Sequence, residues 1–219
     1  VAAYRIRDVP TRLALGCRRA HVVAALSPMR LEPRRIGRGG FLGLVRNAAW
    51  HSDTAVFFEV PNALRILETG AFWDIYYEHC SYFTSDSQAA LFNICGIEID
   101  DIRLEYDDQY LMASGFAEDV PDFYRTKDSI RRMKQAIRTF SELSAQRIDH
   151  WQRYLSAMKR ANKKTVTWGS SSNGVSFLTS LTGGDAIEYV VDINERRQGC
   201  FIPGGGQKIV APEFLKQYR

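Results

Sequence analysis

The chain mixes stretches whose apolar residues keep a period with stretches that keep none. From Phe41 onward the pattern is regular. FLGLVRNAAW (41–50) spaces its apolar residues as an amphipathic helix does. TAVFFEV (54–60) is a continuous apolar run rich in β-formers, which predicts a buried strand stopped by Pro61-Asn62. Residues 63–67 predict a short helix closed by Gly70, and 85–95 a second one with Gly96 as its C-cap. Residues 97–104 and 109–113 predict an antiparallel strand pair turning at Tyr106-Asp107-Asp108.

Between Tyr124 and Lys164, apolar residues fall at Ile130, Met133, Ile137, Phe140, Leu143, Ile148, Trp151, Leu155 and Met158, with no proline or glycine inside. That spacing predicts one long helix presenting an apolar stripe to a partner surface. The last segment reads as strand (164–168), Gly/Ser-rich turn GSSSNG, helix (175–181), strand (186–193), Pro/Gly loop, short strand (209–210) and a terminal helix from Pro212. A strand–turn–helix–strand order argues for a parallel, Rossmann-like sheet.

Residues 1–40 keep no such pattern. Their short apolar stretch, 22–26, is followed by arginines, prolines and glycines. Charge sharpens the contrast. Residues 1–46 hold ten arginines against Asp8 and Glu32, a net of +8, whereas the remainder is −4. Three readings stand for this stretch: a basic arm for nucleic acid or an acidic partner, a weakly ordered Arg-rich leader, or sequence left by a frame disruption or truncation.

Composition excludes some classes. With 45% hydrophobic and 12% aromatic residues the 219-residue chain has material for a core, so disorder throughout is excluded. No apolar run approaches the roughly 18–20 residues of a membrane span. Cys17, Cys80, Cys95 and Cys200 are far apart and form no CxxC pair, so a reducing, cytoplasmic setting is expected. The N-terminal residues lack the continuous apolar region of a secretory signal.

Two stretches carry candidate chemistry. IYYEHCSYF (75–83) gathers Tyr76, Glu78, His79 and Tyr82. An imidazole titrating near neutrality suits removal of a proton next to a carbonyl, a phenol suits the enolate oxygen, and a carboxylate can fix the imidazole tautomer. The same composition also suits a polar aromatic loop with no chemistry. In WGSSSNG (168–174), backbone N–H groups at a helix start suit a phosphate, and Asp192 at the end of the next strand suits either ribose hydroxyls or a turn cap. The turn alone is equally a tight strand–helix connection. His21, His51 and His150 are isolated, and Asp100-Asp101 and Asp107-Asp108 read as solvated turns, so no metal site is expected.

The stretches VFFEVPN (56–62), IYYEHCSYF (75–83), DDQYL (107–111), TWGSSSNGVSFL (167–178), EYVVDINERRQGCFIPGGGQKIV (188–210) and APEFL (211–215) together resemble S-adenosylmethionine-dependent C-methyltransferases that act on nucleotide-linked keto-sugars. The resemblance runs from about Phe41 to the C-terminus. It implies that His79 removes the proton alpha to the sugar ketone, that Glu78 orients it and that Tyr76 stabilises the enolate before methyl transfer. It also implies a substrate-binding set of Asn62, Ser81 and Tyr82, of Trp168, Gly169, Ser170, Ser171, Asn173 and Gly174 in the turn, and of Asp192. Ser171 stands where the family has a glycine, Asn173 where it has a lysine or similar residue, and Asp107 and Asp108 where glycines are common.

The family's zinc-binding cysteine cluster and its glycine-rich methyl-donor turn have no counterpart in the sequence. GRGG at 37–40 is no substitute, because no strand is expected ahead of it. The expected fold class is therefore α/β: the remnant of a Rossmann-like methyltransferase sheet, a long connecting helix and a second, C-terminal Rossmann-like parallel sheet. The expected domains are a leader (1–40), the end of the methyltransferase domain with the catalytic loop (41–115), a helical connector (116–163) and a substrate-binding unit (164–219). The expected cofactor is S-adenosylmethionine and the expected partner a nucleotide-linked keto-sugar, with no membrane and no nucleic acid, and with self-association through an exposed sheet edge. A non-catalytic nucleotide-sugar-binding module and a nucleic-acid- or partner-binding protein using the basic arm are the alternative functions.

Overall fold

A computed structural model describes residues 22–26, 40–49, 54–79, 81–117, 127–182 and 186–218. The fold is mixed α/β, with five α-helices and two sheets among the described residues. The chain divides into two compact units. One holds the described residues up to Arg65 together with Glu78–Lys134, and the other holds Ile66–Tyr77 and Gln135–Arg219.

The first unit is built on a four-stranded sheet ordered β1-β2-β4-β3, where β1 is Val22–Leu26, β2 Ala55–Pro61, β3 Glu98–Glu105 and β4 Tyr110–Phe116. β1 runs parallel to β2, from Val22 opposite Ala55 to Leu26 opposite Glu59, while β4 is antiparallel to both β2 and β3. The expectation that no strand precedes residues 37–40 is thereby corrected. VVAAL has too few residues to show a period, but a five-residue apolar run can complete the hydrogen bonds at the side of a neighbouring strand, and that tertiary pairing decides its structure. Residues 27–39, including most of GRGG, lie outside the described residues.

Helix α1 (Phe41–Ala48) buries Leu42 and Val45 against Val56, Phe58, Phe92, Ile97 and Ala113. The Phe58 and Phe92 rings lie 4.5 Å apart at this core's centre. Helix α2 (Ala63–Thr69) follows β2 directly. Helix α3 (Ser85–Ile94) opens with a capping box, in which the Ser87 N–H donates to Thr84 Oγ1 at 3.3 Å and the Thr84 N–H to Ser87 Oγ at 2.9 Å.

The β3–β4 turn falls where the sequence predicts it, but with an unusual backbone. Tyr106, Asp107 and Asp108 have φ of 56°, 54° and 61°, three consecutive side-chain-bearing residues in the left-handed region. Each such residue costs roughly 1–2 kcal/mol. The turn is tied to the start of α2: Asn62 Nδ2 donates to the Asp108 carbonyl and Arg65 Nε to the Asp107 carbonyl, both at 3.0 Å, and the Asn62 N–H donates to the Gln109 carbonyl at 2.9 Å.

The second unit carries a three-stranded parallel sheet ordered β5-β6-β7, with β5 Thr165–Trp168, β6 Ile187–Val191 and β7 Lys208–Val210. Helix α5 (Ser172–Ser180) makes the β5–β6 crossover, and Pro212–Lys216 forms a closing 3-10 turn. A second 3-10 turn, Phe72–Asp74, inserts Phe72 into the core with Leu155, Leu178, Ile187, Val190 and Ile202.

Helix α4 runs unbroken over Lys127–Arg160, and the first residues of the predicted span, 124–126, lie outside the described residues. Its apolar stripe is only partly covered. Phe140, Ile148, Trp151 and Leu155 pack on the second core, whereas Ile130 and Ile137 are 44% and 54% exposed. Among the described residues no helix is long and apolar enough to cross a membrane.

Gly70 shows why α2 stops where it does. Its φ is +63°, and a Cβ placed there would lie 2.7 Å from Leu143 Cβ of α4. Only glycine meets both constraints. Gly70→Ala is expected to destabilise the second unit by about 1–3 kcal/mol. Urea unfolding followed through tryptophan fluorescence reads this as a lower midpoint, and an unchanged midpoint would refute the close approach.

Candidate functional site

The aromatic-polar segment 75–83 has no regular structure, as its lack of period implies, yet both of its ends are fixed. At its start, the Phe72–Asp74 turn packs on α5. Ser176 Oγ donates to the Ile75 carbonyl at 2.9 Å and approaches the Phe72 carbonyl at 3.5 Å, and Asn173 Nδ2 donates to Asp74 Oδ1. The Phe72 and Phe177 rings stack at 6.0 Å. At its end, Phe83 bridges to Asn62, and the Ala63 N–H donates to the Phe83 carbonyl at 2.8 Å.

Within the first unit this segment carries Glu78, His79, Ser81 and Tyr82, all half-buried. The His79 ring meets the Tyr82 ring edge to face at 5.8 Å. Burial lowers the pKa of His79 below its ordinary 6.5, and the charge of Glu78 opposes that shift only in part. The shift favours the neutral imidazole, the state a general base requires. Tyr76, also half-buried, belongs to the second unit, and its neighbour Tyr77 is 87% exposed. Cys80 lies outside the described residues.

Asn62 is buried and its side chain is used locally. Its Oδ1 accepts from the Leu64 N–H at 3.1 Å, capping α2, while its Nδ2 holds the β3–β4 turn. It positions backbone on either side of the 75–83 segment.

The second unit gathers the other candidates in the WGSSSNG turn, and most of them build it. The Gly169 N–H donates to the Val191 carbonyl at 2.7 Å. The Ser170 N–H donates to Asp192 Oδ2 at 2.9 Å, and the Ser170 hydroxyl donates to the same oxygen. Asp192 Oδ1 accepts from the Asn194 N–H at 2.8 Å, and Arg197 stands 3.5 Å from Oδ2. Both carboxylate oxygens of Asp192 thus accept hydrogen bonds from the chain itself, as a turn cap does.

Gly174 lets α5 start close to the turn, since a Cβ there would meet the Gly169 carbonyl at 2.4 Å. Trp168, 61% exposed, and Ser171 face outward, and Gly169 has open space where a side chain would be. Asp74, Ser176 and Arg197 are structurally important positions that the sequence did not single out. Asp74 reads as a surface acid until its partner on α5, 99 residues on, is known. Among the described residues, no group of three or more His, Cys, Asp or Glu side chains is placed to hold a metal ion.

A family model described as the C-methyltransferase C-terminal domain matches residues 124–219. That stretch, a little under half of the chain, is similar to a C-methyltransferase C-terminal domain. The match spans α4, the parallel sheet, α5 and the WGSSSNG turn, and it agrees there with the resemblance read from the sequence. No curated protein matches the chain.

Asp192 is the electrostatic anchor of the second unit. Burial alone would raise its pKa. Hydrogen bonds from the Ser170 hydroxyl and from the Asn194 and Ser170 amides, with the charge of Arg197, outweigh that and bring it to about 2, against an ordinary 3.8. A depressed folded pKa contributes stability above the unfolded value and loses it as pH falls through the folded one. The contribution, on the order of 2 kcal/mol, is expected to be complete above about pH 5 and to fade toward pH 2. Unfolding of the parent and of Asp192→Asn should show a stability gap at pH 7 that narrows below about pH 5 and closes near pH 2. A gap independent of pH would refute the assignment.

Proposed function

We propose that this chain acts in S-adenosylmethionine-dependent C-methylation, and that its own residues carry the enolate-forming half of the reaction on a nucleotide-linked keto-sugar in the cytoplasm. What supports the reading is His79, a half-buried imidazole beside Glu78 whose pKa burial lowers, in a chain whose residues 124–219 match the C-methyltransferase C-terminal domain.

In this reading, His79 accepts the proton from the carbon alpha to the ketone. The bonding pair of that C–H becomes the enolate, and negative charge develops on the ketone oxygen. Glu78 holds the imidazole in one tautomer and stabilises the imidazolium that forms. Tyr76 donates its phenolic hydrogen bond to the enolate oxygen, where it is worth most as the charge develops. In the first unit, Ser81 and Tyr82 accompany His79 on the catalytic segment; in the second, Trp168 and the outward face of the WGSSSNG turn offer support to a nucleotide portion.

The enolate carbon is the nucleophile that a methyl donor would meet. The described residues of the first unit do not fit that donor. β2 passes through Pro61 and Asn62 into α2 without a glycine, and no glycine-rich turn joins a strand to a helix among them. No step is therefore assigned to the donor.

Enolate formation can be read without the donor. In deuterated buffer, the chain should catalyse uptake of one deuterium alpha to the ketone of a nucleoside-diphosphate-linked keto-sugar, detected by mass spectrometry. His79→Ala should slow it by about 10²-fold or more. Because His79 titrates below 6.5, the acidic limb of the rate profile should fall below that pH. Uptake no faster than in buffer, or unaffected by His79→Ala, would overturn the proposal. Tight binding of the nucleotide-sugar without uptake would favour the non-catalytic binding module.

A further inference from the structure

The geometry points to Asn173 and Ser176 of α5, with Asp74, as positioning residues that fasten the start of the catalytic segment onto the C-methyltransferase C-terminal domain. The fastening rests only on contacts within the second unit. Its catalytic meaning rests on the function proposed above.

Three observations converge. The Asn173 amide donates to the Asp74 carboxylate, and the Ser176 hydroxyl donates to the Ile75 carbonyl at 2.9 Å. Phe72, one turn earlier, is 7% exposed and stacks on Phe177 of the same helix. Asn173, Ser176 and Phe177 sit at spacings of three and four along α5, so one face of that helix holds residues 72–75 by an amide, a hydroxyl and a ring. Tyr76 is the next residue in the chain and inherits its backbone position from Ile75.

The same helix begins at the WGSSSNG turn, where Ser170 is tied to Asp192. Asn173 thus points away from a ligand role. Its amide is used on Asp74, whose carboxylate accepts hydrogen bonds as a phosphate would. A hydrogen bond to a charged group is worth more than a neutral one, and it orients both partners. The turn and the backbone that leads into Tyr76 are consequently held by one and the same helix.

The test exploits a swap. Asn173→Asp places two carboxylates against each other, while its new charge near the start of α5 is favourable for the helix itself. Adding Asp74→Asn restores one amide and one carboxylate with their places exchanged. Hydrogen–deuterium exchange of peptides spanning 72–79 should accelerate about tenfold in N173D and return toward the parent rate in D74N/N173D. Exchange in β6 should stay unchanged in both. Ser176→Ala should accelerate the same peptides, and it decides the matter if N173D unfolds the unit.

In the deuterium-uptake assay, N173D should lower kcat at unchanged KM, and the swap should restore it. Unchanged exchange at 72–79 in both single variants, or failure of the swap to restore protection, would overturn the fastening. A raised KM with kcat retained would make Asn173 a ligand contact instead and overturn the positioning role. If the parent shows no deuterium uptake, the proposed function fails, while the exchange measurements still decide the fastening.

Discussion

A buried carboxylate must find partners, and Asp192 finds them at the end of β6 in a way that organises the whole second unit. Its oxygens take the Ser170 amide and hydroxyl on one side and the Asn194 amide on the other, with Arg197 alongside. The turn between β5 and α5 is thereby locked to the end of the neighbouring strand. The start and direction of α5 follow from that lock, and the contacts of α5 with residues 72–75 follow from its direction. A polar group that cost free energy to bury has become the reference point for a helix and for the segment beyond it.

Asn62 does the equivalent work in the first unit. It is buried, its oxygen caps α2, and its amide holds the β3–β4 turn. The adjacent bridge to Phe83 fixes the far end of the segment that contains His79. Residues 72–75 are held by side chains of α5 in the second unit and Phe83 by backbone at Asn62 and Ala63 in the first, and the residues between need no regular structure of their own. That is why a stretch with neither helical nor strand period still has defined ends.

Most elements were legible because their signals are local. The long helix needed only its spacing and the absence of proline and glycine; β5, α5 and β6 needed an apolar run, a Gly/Ser turn and another apolar run. The strand at Val22–Leu26 was not legible, since its structure comes from pairing with β2 rather than from its own five residues. The coverage of α4 was not legible either. Periodicity shows which residues share a face, but Ile130 and Ile137 stay exposed while Trp151 and Leu155 find a core. The candidate residues were readable as types and as a resemblance. Their uses were not, because Asp192 as cap and Asn173 as partner of Asp74 depend on contacts 22 and 99 residues away.

The left-handed turn at Tyr106–Asp108 bears on the order in which the chain can fold. A hairpin normally starts at its turn, since the turn is the shortest loop to close. Here three side-chain-bearing residues resist that conformation. The donors that hold it, Asn62 and Arg65, lie 46 and 42 residues earlier in sequence. The β3–β4 hairpin is thus a poor starting point, and β2 with the first turn of α2 must be in place before it closes. The most local-looking element of the first unit depends on some of its least local contacts.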